Sequence, residues 1–332
     1  MQGFQTIAGQ EKTISTLSAF LTSGNIPHAI IFSGISGSGK QETATVFAMA
    51  LNCRNRPAAA AAPCEACRTC RNIRGDRHPD VLHLRPPGKM IKVDQIRQLR
   101  DTIAMKPFEA ETRLVIIHDA HTMNVSAANA LLKSLEEPPP KTVFLLLTDQ
   151  PGRFLPTVIS RCQLLRFTPI AVEAIQARLT ADGGLAPADA ALIARLAGGS
   201  MSAAEKMSEP AWRRHRQFIL EIMGGIDTLS PGVLLALAGR LSDAALPAAE
   251  ALDIMETWIR DMLTVALAPD LLINVDLADK IQYSATRTTV ETSLHRARAV
   301  QLARRRLGGN ANVKLTMEHL LLDMAHGQAP TG

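Results

Sequence analysis

An apolar run that meets a glycine-rich turn and then a lysine leaves a chain few folds to choose from. Here Ile30-Ile31-Phe32-Ser33 leads into Gly34-Ile35-Ser36-Gly37-Ser38-Gly39-Lys40-Gln41, and a helical pattern runs on from Glu42 to Leu51. The order is strand, phosphate loop, helix. Gly34 and Gly39-Lys40 satisfy the spacing G-x-x-x-x-G-K, in which backbone N–H groups cradle phosphates and the lysine reaches the outer ones. The helix beginning beside Lys40 adds the positive end of its dipole. The last position of that pattern is normally Ser or Thr, whose hydroxyl holds magnesium. Gln41 stands there instead, Thr43 points about 200° away around the helix, and Thr45 lies about one turn deeper. The loop reads as built for nucleotide and poorly equipped for magnesium-assisted hydrolysis.

Strands alternate with helices on either side of this stretch. Asp80 to Leu84, Leu114 to Ile117, Thr142 to Leu147 and Leu164 to Phe167 read as buried strands. Val93 to Met105 and the segment capped by Asn124 and carrying Ala128, Leu131, Leu132 and Leu135 read as helices, the second stopped by Pro138-Pro139-Pro140. Residues 4–24 carry Ile7, Ile14, Leu17, Phe20 and Leu21 at helical spacing, which predicts a helix ending near Gly24. Alternation through residue 168 predicts an α/β domain with a parallel sheet covered on both faces. Beyond Pro169 only helical periods remain. Short helices are predicted over 172–179, 188–197 and 202–207, and longer ones from Pro210 onward. The expected division is 1–168, 169–208 and 209–326, with a tail at 327–332. His118-Asp119-Ala120-His121 closes one central strand and Thr148-Asp149 another. An acid at such a strand end is where phosphate-loop enzymes hold magnesium or polarise water.

Four of the five cysteines, Cys53, Cys64, Cys67 and Cys70, fall within 18 residues. C-x-x-C-x-x-C with a fourth cysteine upstream reads as a closed tetrahedral zinc site, because neighbouring thiolates repel unless a cation holds them. An iron–sulfur cluster is the competing reading, and a disulfide pair suits a reducing compartment less well. An alanine–proline stretch, Pro57 to Pro63, would act as a spacer inside this module. With 46% hydrophobic and 20% charged residues the composition is that of an ordinary globular chain. No apolar run approaches the roughly 18 residues of a membrane span. The start, Met1 to Thr6, lacks a basic segment followed by an apolar core, so the cytoplasm is the expected compartment and no membrane partner is expected. A net charge of +5 permits contact with nucleic acid without demanding it. The two basic clusters, Arg213 to Arg216 and Arg296 to Arg306, read as solvated helix faces.

Several runs together resemble bacterial AAA+ clamp-loader subunits. Phe4-Gln5-Thr6-Ile7-Ala8-Gly9-Gln10 and His28 to Gly34 look like that family's opening, and the cysteine insertion follows its phosphate-loop helix. Asn129-Ala130-Leu131-Leu132-Lys133-Ser134-Leu135-Glu136-Glu137-Pro138-Pro139 and Ser160-Arg161-Cys162 are similar to its most recognisable motifs. The resemblance implies an AAA+ P-loop domain with an inserted zinc module (53–70), then a small helical lid and an all-α collar. It further implies a hetero-pentameric loader of delta, delta-prime and gamma/tau subunits that places the sliding clamp of DNA polymerase III on primed DNA. In the family's motors the acidic motif reads Asp-Glu-x-His, so His118 occupies the magnesium-associated position and Asp119 the catalytic one. The motors' Gly-Ser-Met-Arg appears as Gly199-Ser200-Met201-Ser202. Gly34, Gly37, Gly39, Lys40, Gln41, Asp119 and Thr148 would form a degenerate site for ATP and magnesium. Arg161, intact, would be an arginine finger reaching a neighbour's ATP. The reading is a delta-prime-like stator without turnover of its own. A motor subunit still hydrolysing ATP through Lys40, and a zinc protein touching DNA through Arg68, Arg71 and Arg74, are the alternatives.

Overall fold

The computed structural model describes residues 3–56, 61–242 and 247–326. Residues 57–60 of the spacer and the tail at 327–332 lie outside the described residues.

The amino-terminal region departs from the single helix its periodicity predicts. A short 3-10 turn spans Gly3–Thr6, and α1 begins only at Glu11 and runs to Ser23. Gly9 adopts φ +72°, and this left-handed turn breaks the helical run ahead of Gln10. β1 (Ala29–Ser33), α2 (Lys40–Asn52), α3 (Arg68–Arg74), β2 (Val81–Leu84), α4 (Val93–Ile103), β3 (Arg113–Ile117), α5 (Val125–Glu136), β4 (Thr142–Thr148), α6 (Pro156–Ile159) and β5 (Gln163–Arg166) follow. The five strands form one parallel sheet in the order β2-β3-β4-β1-β5. The three inner strands, β1, β3 and β4, are buried along their whole length because both faces are covered, whereas the edge strands β2 and β5 are only partly buried. Ile30 and Phe32 of β1 join Leu17, Phe47, Leu114 and Leu145 on one face, whereas Ala29 and Ile31 join Ile96, Leu131, Val115 and Phe144 on the other. The chain passes from β4 to β5 across β1. That reversal opens a crevice at the carboxyl end of β1, where ligands bind in folds of this kind. The register pairs Ser33 with Thr148, which sets the phosphate loop directly beside the end of β4.

The chain divides into two compact units, residues 1–175 with 198–203, and residues 176–197 with 204–332. After α7 (Val172–Gly183), α8 (Pro187–Leu196) and α9 (Met201–Met207), the helical unit contains α10 (Pro210–Gly225), α11 (Pro231–Ser242), α12 (Ala248–Thr264), α13 (Ala278–Arg287), α14 (Val290–Gly308) and α15 (Val313–His326). Its core centres on Trp258 of α12, packed among side chains that include Leu220, Met223, Leu234, Val300 and Leu321. No described helix is long and apolar enough to cross a membrane.

The two basic clusters are not simple solvated faces. Arg216 is buried, and its guanidinium bonds Asp276 through both terminal nitrogens at 2.8 Å and Asn274 at 2.8 Å. Arg296 is buried too, its Nε donating to the Met324 carbonyl at 3.0 Å while Nη2 pairs with Asp227. Sequence proximity to other arginines concealed both, because the acids that justify their burial lie 60 and 69 positions away. Asp261 in turn accepts the backbone N–H groups of Ile273 and Asn274, so this polar network ties the 269–277 turns to α12.

Candidate functional site

At the end of β1 the backbone of Gly34 runs so close to Phe167 that a Cβ there would stand 2.5 Å from the Phe167 carbonyl oxygen. Gly37 and Gly39 take φ +74° and +90°, and Gly39 leads directly into α2. These are the requirements of a tight phosphate loop. Gln10, whose role the sequence did not disclose, latches the loop's base. Its amide donates to Ser38 and Thr168 carbonyls at 3.2 and 2.7 Å and accepts from the Thr168 N–H at 3.0 Å.

Lys40 does not extend over the loop. Its Nζ donates to the carbonyls of Gly34 at 2.6 Å and Ile35 at 2.7 Å. Burial lowers its pKa, opposed by the carboxylates of Asp149 and Asp119. Gln41 is exposed, and Thr43 and Thr45 spend their hydroxyls on the carbonyls of Gly39 and Gln41 within α2. None of the three offers the short hydroxyl that magnesium binding at this loop uses. The segment 198–203 closes over the loop's tip. Met201 N–H donates to the Gly37 carbonyl at 2.9 Å, and a Cβ on Gly37 would meet Ser200 Oγ and Ser202 Oγ at 2.1 and 2.3 Å.

At the end of β3, His118 forms an imidazole pair with His83 of β2. His118 Nε2 lies 2.9 Å from His83 Nδ1, and His83 Nε2 lies 3.0 Å from Asp76 Oδ1. Neutral rings satisfy the whole chain: His83 Nε2–H donates to Asp76, leaving Nδ1 to accept from His118 Nε2–H. Burial, reinforced by Arg85 and His83, drives the His118 pKa down to about 4, and burial lowers His83 as well. A neutral, hydrogen-bonded imidazole therefore closes β3, and this donor set does not fit magnesium. Asp119 is exposed in the left-handed conformation at φ +45°. Thr148 is buried with its hydroxyl 3.3 Å from His121 Nδ1, which also faces Asp149 at 3.3 Å. Gly34, Gly37, Gly39, Lys40, Asp119 and Thr148 are thus gathered at one crevice, while Gln41 turns to solvent.

Arg161 lies outside that crevice, after α6. Its Nη2 pairs with Glu136 at 2.7 Å, and Nη1 donates to the Thr157 carbonyl at 3.0 Å and to Ser160 Oγ at 3.3 Å. About a third of its side chain remains exposed, 35%. Glu136 closes α5, where the helix dipole disfavours a carboxylate, so the arginine offsets a local cost.

The sulfur atoms of Cys53, Cys64, Cys67 and Cys70 all lie within 4.8 Å of one another. A tetrahedral ZnS4 centre with bonds near 2.3 Å needs sulfurs about 3.8 Å apart, so the quartet fits zinc. Backbone N–H groups of Cys64, Cys67 and Cys70 point at the sulfurs of Cys53, Cys64 and Cys67 at 3.3, 3.3 and 3.4 Å, stabilising thiolates. Burial opposes ionisation of Cys64, but the Cys67 N–H and the Cys53 thiol outweigh it and bring the pKa down to about 7. Burial pushes Cys70 and Cys53 up. Cys162, by contrast, is pushed up to about 12 by burial alone and stands apart from the quartet.

A second pair that sequence reasoning missed fastens the 102–110 segment to the start of the sheet. Asp80, expected to open β2, instead sits fully buried ahead of it. It accepts the N–H groups of Phe108, Glu109 and Ala110 at 2.8, 2.8 and 2.9 Å and pairs with Arg113 at 3.4 Å. A cleft of about 700 Å3 lies elsewhere, in the helical unit beside Trp212 and Arg216, and holds none of these groups.

Comparison with known proteins agrees with this arrangement. The family described as "DNA polymerase III, delta subunit" matches residues 9–171, and its carboxyl-terminal counterpart matches residues 210–326. The delta-prime subunit of DNA polymerase III from Bacillus subtilis is 31% identical over 96% of this chain and 97% of its own length. That from Pseudomonas aeruginosa is 39% identical over 58% of this chain and 60% of its own. The tau subunit from Escherichia coli is 31% identical over 96% of this chain, which spans less than half, 47%, of that longer protein. Among solved structures, a gamma subunit-related protein of DNA polymerase III from Thermotoga maritima superposes with a TM-score of 0.50 at 21% identity, covering 94% of this chain and 98% of its own, a likeness of fold alone. The parallel sheet with its phosphate loop, the four-cysteine module and the matches along nearly the whole length make this chain a member of the bacterial DNA polymerase III clamp-loader family, related through both domains to its delta-type subunits.

Proposed function

We propose that this protein is a delta-prime-like stator of the DNA polymerase III clamp loader, a cytoplasmic subunit that turns over little or no ATP itself and lends Arg161 to a neighbouring ATPase. The observation that carries the reading is His118. Where a hydrolytic subunit needs a carboxylate for magnesium, this chain has a neutral ring hydrogen-bonded to His83 at 2.9 Å. Gln41 at the end of the phosphate loop, Asp119 in the left-handed conformation and Ser202 in place of an arginine act in the same direction. Each removes stabilisation of magnesium or of developing phosphate charge, and one such loss commonly costs several kcal/mol of barrier, roughly 3–4. Arg161 keeps what a donated finger needs: a guanidinium anchored at Glu136, Thr157 and Ser160 yet partly open to solvent. An arginine so presented stabilises charge spread over transferring phosphoryl oxygens, and its planar fork engages two of them at once.

In this role the helices from about residue 209 form the collar that joins delta and gamma/tau subunits in a pentamer, and clamp and primed DNA are reached through the assembly. Zinc is held by Cys53, Cys64, Cys67 and Cys70 as a closed structural centre without a vacant coordination position for chemistry. The second reading, a motor subunit, draws on the intact Gly34, Gly39 and Lys40. DNA-stimulated ATP hydrolysis and clamp loading by the reconstituted loader separate the two. Arg161→Ala is expected to lower loading by about tenfold or more, while Lys40→Ala leaves it near the parent value. A large loss with Lys40→Ala would overturn the stator reading in favour of the motor.

A further inference from the structure

We infer that the outer surface of the cysteine module is a contact for the phosphate backbone of double-stranded nucleic acid. Residues 53–77 contain six arginines, no lysine and two acids, a formal excess of four in a chain whose whole excess is five. A tetrathiolate zinc centre contributes two negative charges of its own, but three sulfur-directed N–H groups offset these in part, and the arginines lie outside the quartet. Arg54, Arg68, Arg71 and Arg77 are exposed and form no ion pair among the described residues. Arg68 and Arg71 are three apart on α3, so both project from one face of that helix. The two acids are already engaged. Glu65 pairs with Arg74 at 3.1 Å, and Asp76 is held by His83 and Arg85. What remains facing solvent is cationic.

The chemistry around these arginines selects the partner. Among the described residues of the module no large apolar side chain is exposed, so they offer no anchor of the kind on which protein–protein interfaces depend. It has no aromatic residue either, so bases of a single strand would find no stacking platform. Guanidinium groups without apolar or aromatic company suit phosphates, which they bind by paired hydrogen bonds irrespective of sequence.

The test is binding of the full-length, zinc-loaded chain to a fluorescent random-sequence DNA duplex, measured by anisotropy across a salt series. Each arginine that neutralises a phosphate contributes about 0.9 to the slope of log affinity against log salt. Arg68→Gln/Arg71→Gln is expected to lower that slope by about 2 with zinc content unchanged, whereas Arg305→Gln/Arg306→Gln on α14 leaves it unaltered. Arg54→Gln/Arg77→Gln, outside α3, serves as a second variant should the first fail to fold. An unchanged slope would overturn the inference, as would equal losses from the α14 variant, which would reduce the effect to net charge. Zinc lost in step with affinity would assign the arginines to balancing the metal centre and overturn it too. Tighter binding of a single strand of equal length would also exclude a duplex contact.

Discussion

His118 and Asp80 are two buried titratable side chains with opposite ordinary charges and the same consequence for stability. Burial holds His118 neutral, its pKa near 4 against the ordinary 6.5. The unfolded chain therefore binds the extra proton first as pH falls. The stability His118 contributes is fully present above about 6.5 and is lost as pH drops through about 4. Burial opposes ionisation of Asp80, but the N–H groups of Glu109, Ala110 and Phe108, with Arg113, outweigh it and hold the carboxyl below its ordinary value of 3.8. Its contribution is present above that value and declines only in stronger acid. Denaturant unfolding measured across pH should separate the two. His118→Asn is expected to flatten the slope between roughly pH 6.5 and 4 and leave the more acid limb intact. Asp80→Asn should cost about 3–5 kcal/mol at neutral pH, because it strands the Arg113 charge in the interior. A cost below 1 kcal/mol would mean that Arg113 finds relief elsewhere.

Among the elements, the cysteine module stands out for its dependence on a single centre. α3 is only seven residues long, well short of the roughly 12–15 at which helices persist alone. Cys67 caps its first turn and Cys70 lies buried within it, so two of the four thiols belong to the helix they stabilise. Chelation of zinc, or Cys67→Ser, is expected to release α3 while leaving β1 to β5 folded on their own two-sided core. Hydrogen exchange should register the loss of protection across 64–74 alone. Loss of protection throughout the sheet would make the metal part of the domain's core. Zinc uptake should also release protons, since Cys70 and Cys53 are pushed towards their thiol forms by burial.

At the scale of the whole molecule, the helical unit satisfies its own core and still leaves apolar side chains outside. Trp258, Met255, Ile259 and Leu241 are enclosed, whereas Val233 and Leu235 on α11, Leu294 on α14 and Leu315 on α15 are exposed. These are the residues a collar would bury between subunits. Truncation after residue 209 is expected to abolish assembly with partner subunits while sparing zinc binding, checked by size-exclusion chromatography and metal content. Retained assembly would remove the collar from this part of the chain.

The strands, the phosphate loop and the cysteine quartet were legible in the sequence because their physics is local. Continuous apolar runs demand a sheet covered on both faces, tight turns demand Gly37 and Gly39, and cysteines spaced three apart at and before the start of α3 lie close enough to share one metal. Pairing across long separations was not legible. His83 with His118, Asp80 with Arg113, Arg216 with Asp276 and Arg161 with Glu136 join residues 25 to 60 positions apart. No local pattern records such a partner. The sequence could mark His118 as a departure and Arg161 as a candidate finger, but only the register of β2 against β3 makes the first a neutral hydrogen-bonded ring, and only the end of α5 provides the carboxylate that anchors the second. A buried charge or ring is decided by what the fold brings to it, and that is a property of tertiary structure.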